Sequence, residues 1–155
     1  MKEIEKCSYT DSIIYLMEQT VVYFKIKAAQ IISSLDIGIT IDQFAALNAI
    51  YSNQDICQRD LSKLILKDRS NTGRILNILE ENGFIERIAD TKNNRLVRKI
   101  YITDKGKQII EENEKPLRKE IMPVFDDVSA EEFANMRQTL NKLKDSLSKT
   151  TSIQI

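Results

Sequence analysis

The stretch from Asp68 to Thr103 constrains the fold more than any other part of this 155-residue chain. Asp68 can cap a helix, and Thr72, Ile75, Leu76 and Leu79 recur at the spacing of one helical face. Asn82-Gly83 then supplies the left-handed stop that ends helices. Phe84 to Ile88 and Leu96 to Ile102 are rich in β-formers, and Ala89 to Arg95 between them is polar. This pattern predicts a polar-fronted helix followed by a hairpin with a rather long, cationic tip.

Only four Gly and two Pro interrupt the chain, so most of it should be helical. A first helix is predicted from about Thr10 to Leu35, capped by Thr10 or Asp11. Ile14, Met17, Val21, Phe24, Ala28, Ile31 and Leu35 alternate by three and four along it. Thr40 or Asp42 caps the next helix, with Phe44, Leu47 and Tyr51 inward. Gln58-Arg59-Asp60 opens a short helix whose Leu61, Leu64 and Ile65 share a face. After the hairpin, Thr103 caps a helix reaching about Phe125, with Gly106 awkward in its first turn. A kink or break is expected near Pro116 and Pro123. Ser129-Ala-Glu-Glu132 reads as a capping box, and Phe133, Met136, Leu140, Leu143 and Leu147 mark the last apolar stripe. The fold class is mainly α, in the order α-α-α-α-β-β-α-α. The expected organisation is an N-terminal dimerisation helix (1–36), a winged helix-turn-helix (37–103) and C-terminal dimerisation helices (104–155).

Composition narrows the function. An apolar share of 42% supports a core, and 30% charged residues fit a soluble chain. No window approaches the roughly 18 uninterrupted apolar residues of a membrane span, and the first seven residues form no apolar signal run. A cytoplasmic protein is expected. Histidine is absent, which excludes a histidine general base and argues against a Cys/His zinc site. No metal or cofactor is expected. There is no glycine-rich phosphate loop, and the acids at Glu80-Glu81, Glu111-Glu112, Asp126-Asp127 and Glu131-Glu132 are adjacent pairs that project in different directions. The chain does not read as an enzyme.

The net charge is zero, but it is unevenly spread. Gln58 to Lys107 holds 12 Lys+Arg against 7 Asp+Glu, and the rest of the chain carries the opposite excess. A basic centre between acidic ends can act as an electrostatic footprint for nucleic acid.

Arg69, Ser70, Asn71, Thr72 and Arg74 open the helix after Asp68. Short polar groups with arginines at a helix start suit base reading in a major groove, and an ordinary solvated face would contain the same residues. At the hairpin tip, Lys92, Asn93, Asn94 and Arg95 suit phosphate or minor-groove contact. The plainer alternative for them is charge that blunts an edge hairpin. Gln58 and Arg59 suit backbone positioning. Tyr15, Tyr23, Phe44 and Tyr51, with Tyr9 and Phe24, are candidates for a ligand cleft, although aromatics at helical spacing are more often core. Cys57 precedes a short helix whose dipole favours thiolate. Cys7 is the other cysteine, and two inert thiols are the plainer reading of both.

The segment from Ile41 to Gly106 resembles the MarR family of bacterial winged-helix transcription regulators. The likeness lies in Thr-Ile-Asp-Gln-Phe-Ala-Ala-Leu (40–47), Asn-Ile-Leu-Glu-Glu-Asn-Gly-Phe-Ile-Glu-Arg (77–87) and Ile-Tyr-Ile-Thr-Asp-Lys-Gly (100–106). The resemblance implies a homodimer held by its terminal helices. It places the fourth helix in the major groove and the wing along the minor groove, with a cleft for a small aromatic or anionic effector. Some members sense peroxide through a thiol near the first helix, and Cys7 lies further upstream than that thiol. The wing departs from the family pattern: Arg95 is kept, but an asparagine stands where an aspartate usually braces the tip, and Asp90 lies further back. The expected function is a sequence-specific, DNA-binding transcriptional regulator, a repressor rather than an activator. It would bind a pseudo-palindromic operator and be released by a small ligand or oxidation. The alternative is a winged-helix module that binds other proteins.

Overall fold

The computed structural model describes residues 8–92 and 95–150, with side chains for 8–89 and 98–150. The described residues open with a 3-10 turn, Tyr9–Asp11, and the helix α1 (Ile13–Ser34) starts later than the periodicity suggests. Its cap is Ser12, whose hydroxyl accepts from the Tyr15 N–H at 3.2 Å, not Thr10 or Asp11. α2 (Ile41–Ser52) is capped by Thr40, and Gln43 returns the bond to the Thr40 N–H at 2.8 Å.

A two-residue strand, β1 (Ile56–Cys57), follows; nothing in the sequence reading foresaw it. The helices α3 (Gln58–Leu64) and α4 (Arg69–Glu81) form the helix-turn-helix. β2 (Ile85–Lys92) and β3 (Arg95–Ile102) form the wing, and β3 also carries β1, giving the antiparallel order β1-β3-β2. The wing strands pair out to Lys92 opposite Arg95, so the tip is shorter than the expected loop from Ala89 to Arg95. A two-stranded ribbon has no need of an apolar face so far from the core, and the polar residues continue the ladder.

α5 (Asp104–Ile121) runs through Pro116 without a break and yields to a 3-10 turn, Met122–Phe125, at Pro123. α6 (Ala130–Thr150) begins at the Ser129 capping box, where the Glu132 N–H donates to the serine hydroxyl at 3.2 Å.

The core gathers Phe44, Leu47 and Ile50 of α2, Leu61 of α3 and Ile75, Leu76 and Leu79 of α4. Phe84, Ile85, Ile100 and Ile110 close it from the wing base and α5. Two expected inward residues point elsewhere. Tyr51 is exposed because Ile50, one position earlier, takes the core direction. Leu64 is 54% exposed, while Leu61 is buried and Ile65 packs against the core at the end of α3.

The terminal helices contrast with this core. α1 buries only Ile31 and Ile32, and α6 buries nothing. Ile13, Ile14, Leu16, Val21 and Tyr23 of α1 and Phe133, Met136, Leu140 and Leu147 of α6 are all exposed. Phe125 links these elements, stacking on Phe24 at 5.5 Å and meeting the edge of Phe133 at 5.7 Å.

Gly106 explains how α5 leaves the wing. A β-carbon there would lie 2.2 Å from the Phe84 carbonyl oxygen and 2.8 Å from the Ile102 side chain. The helix start therefore presses directly on the strand base, which only glycine allows. Gly106→Ala should destabilise the fold by roughly 2–3 kcal/mol, the usual scale of forced overpacking. Urea unfolding checks this; an unchanged midpoint would show that the contact is slack.

Candidate nucleic-acid interface

α4 is anchored from within before it offers anything outward. Asp68 accepts the Asn71 N–H at 2.8 Å and is also bonded by the Asn71 side-chain amide. These bonds, the backbone one first, hold the Asp68 carboxyl below the usual carboxylate range. Asn71 is thus partly engaged by the cap. Thr72 is fully buried and its hydroxyl donates to the Asp68 carbonyl at 2.8 Å, so it cannot touch a ligand directly. Helical geometry explains this: Thr72 lies on the face of Ile75, Leu76 and Leu79.

Arg69, Ser70, Asn71 and Arg74 are exposed. Gln58 is half-buried, and its side chain donates to the Arg69 carbonyl at 3.0 Å. Its role in the structure is to tie α3 to the start of α4, a function the sequence reading did not assign. Gly73 makes room for it, since a β-carbon there would lie 3.3 Å from the Gln58 nitrogen. Arg59 is exposed, with Nε 3.6 Å from Asp60. Lys67 bonds Asp42 at 2.7 Å and pins the turn before α4 to α2.

The far end of α4 is tied to the wing. Arg87 of β2 donates from Nε to Glu80 at 3.0 Å, from its backbone N–H to Glu80 at 3.2 Å and from a terminal nitrogen to Asn77 at 2.9 Å. That nitrogen also pairs with Glu80. The Arg87 side chain is 15% exposed and Glu80 38%, so the arginine end of the pair is the sheltered one. The Glu80–Arg87 clamp was missed because neither residue belongs to a periodic or capping pattern. Cys7, Asn93 and Asn94, and the side chains of Lys92 and Arg95, lie outside the described residues; the backbones of Lys92 and Arg95 are the last pair before the tip.

The aromatic candidates stand in different settings. Phe44 is core, Tyr23 is 66% exposed, Tyr15 packs on Tyr9, and the Tyr51 hydroxyl donates to Glu111 of α5 at 3.0 Å. A pocket of about 440 Å³ instead lies at the α1–α2 turn, lined by Ile32, Ile37, Ile39 and Asp36 among others, and by none of those aromatics. The Cys57 thiol donates to Asp60 at 3.1 Å.

A helix-turn-helix followed by a two-stranded wing on a three-stranded sheet, with an anchored fourth helix, defines a winged helix-turn-helix protein. Residues 39–97, the helix-turn-helix and most of the wing, match the MarR family model. The chain is similar to the HTH-type transcriptional regulator YybA of Bacillus subtilis (strain 168), 35% identical over 74 residues, 48% of this chain and 49% of YybA. The match therefore spans about half of that relative's length. YdgJ of the same organism, also named an HTH-type transcriptional regulator, is 29% identical over 114 residues, 69% of each chain. Among solved structures, the S. aureus MepR–DNA complex superposes with a TM-score of 0.76 at 25% identity, over 90% of this chain and 99% of MepR. Apo MarR from E. coli gives 0.69 at 23% identity, over 85% of this chain and 96% of MarR. Among the described residues, no helix is long and apolar enough to cross a membrane.

The Arg87 side chain, first by its hydrogen bonds, holds the Glu80 carboxyl below its ordinary value of 4.5. A carboxylate lowered on folding stabilises the protein above its unfolded value, and that contribution disappears as pH falls through the folded value. Asp60, Asp68, Asp104 and Glu132 are lowered as well and act in the same direction. Stability should therefore decline on acidification from about pH 5 toward pH 3, and Glu80→Gln should decline less steeply. Urea midpoints across that range check this; parallel curves for the two proteins would remove Glu80 from the account.

Proposed function

We propose that the chain is a sequence-specific, DNA-binding transcriptional regulator of the cytoplasm, a repressor rather than an activator, and not an enzyme. The observation that carries this reading is the outward stripe of α4, with Ser70 and Arg74 exposed on a helix fixed at both ends beside a wing. Arginine pairs bidentately with guanine in the major groove, and short polar groups fill the spaces between. The likeness to MepR, solved with DNA, and to relatives named as transcriptional regulators supports it.

The exposed apolar faces of α1 and α6 support a homodimer, with residues 1–36 and 104–155 as dimerisation regions around the DNA-binding region 37–103. Surfaces of this kind rarely stay bare in water. A dimer would set two copies of α4 about 34 Å apart, one turn of duplex, and so favour a pseudo-palindromic operator. A small aromatic or anionic effector that binds one spacing better than the other would release the DNA by linkage.

Two outcomes check this reading. Arg74→Ala should lose about tenfold or more on the selected site but little on scrambled duplex, whereas Lys92→Ala should weaken both. Competition binding at several salt concentrations separates the cases, and equal losses for Arg74→Ala on every duplex would count against a reading role. Sedimentation at micromolar protein should give a dimer; a concentration-independent monomer would remove the paired-helix geometry.

A further inference from the structure

Asn77 belongs to none of the candidate sites read from the sequence, yet its side chain is held in one orientation. Asn77 is exposed on α4, and its Oδ1 accepts from the Arg87 guanidinium at 2.9 Å. Arg87 cannot easily turn away, because Glu80 takes its Nε and backbone N–H at 3.0 and 3.2 Å. A side-chain amide carries one acceptor oxygen and one donor nitrogen. With one lone pair of the oxygen taken and the amide held by that bond, the NH₂ group is the part of the side chain with no bond to another described residue.

An unrestrained asparagine can present both atoms at once, the pairing that reads adenine. Asn77 presents a donor alone. It also lies in the right row. Ser70, Arg74 and Asn77 are four and three residues apart, which places them on one face, opposite the buried Thr72, Ile75, Leu76 and Leu79. Glu80 would repel a phosphate backbone if left bare, and the Arg87 guanidinium neutralises it.

We propose that Asn77 is a specificity-determining residue, a donor aimed by Arg87 at acceptor atoms on base edges, namely guanine O6 and N7 or thymine O4. Arg87 is then a positioning residue: it acts on base preference through Asn77 without touching the base. The inference rests on the DNA-binding reading above and adds to it the chemistry that one position accepts.

Parallel selection from a random duplex library tests it, using the full-length chain, Asn77→Ala and Arg87→Lys, each checked for cooperative thermal unfolding. The unmodified chain should enrich a motif with a guanine or thymine at one position in each half-site that Asn77→Ala no longer prefers. The loss against that base should be about fivefold, the worth of one neutral hydrogen bond. Arg87→Lys keeps the charge and loses the fork, so the same position should broaden toward adenine as the amide becomes free to turn. If Asn77→Ala enriches an unchanged motif, or weakens all duplexes equally as a phosphate contact would, the inference is overturned while the DNA-binding reading stands. If the unmodified chain enriches no motif, both fall.

Discussion

Everything α4 can do follows from how it is held down. Thr72, Ile75, Leu76 and Leu79 enter the core at near-complete burial, and this commits the opposite face to solvent. Gln58 fixes the first turn through the Arg69 carbonyl, and Arg87 fixes the last turns through Glu80 and Asn77. A helix restrained at both ends presents its outer side chains with little freedom left to lose on binding, which favours recognition by preorganisation. The wing gains from the same arrangement, since the ion pair that locks α4 also sets the base of β2.

The two ends of the chain obey a different logic. The 22-residue α1 touches the core only near its C-terminal end, through Ile32, and the 21-residue α6 buries nothing. The Phe24, Phe125 and Phe133 contacts join them, but the larger apolar stripes stay open. The chain therefore combines a well-packed winged helix-turn-helix with terminal helices whose apolar faces are exposed, and the balance of charge follows the same division. Its cations concentrate between Gln58 and Lys107, and its acids toward the ends.

Much of this was readable from residue types. The Asp68 cap, the inward four of α4, the stop at Gly83, the Thr40 cap and the Ser129 box all stand where local chemistry puts them. β1 was not readable, because two residues cannot carry a period and their strand exists only through pairing with Ile100 and Lys99. The wing's length was hidden for a related reason: a ribbon beyond the core has no alternation to detect. Thr72 and Asn77 show the same limit within the site. Thr72 reads both as an inward position and as a polar contact, and its burial under the cap settles that choice, whereas Asn77 looks like plain surface and is oriented by an arginine ten residues away. Long-range contacts of this kind leave no local signal. They decided which polar residues of α4 can meet a ligand.

The claim at the centre is that the outer face of α4, with the wing beside it, is where duplex DNA sits. Amide chemical-shift mapping on the isotope-labelled protein, titrated with a duplex recovered by selection, tests this most directly. The account predicts the largest changes across Arg69 to Ile78 and along β2 and β3 toward the tip, with the apolar faces of α1 and α6 little affected. Changes concentrated on those terminal helices, with α4 silent, would contradict it.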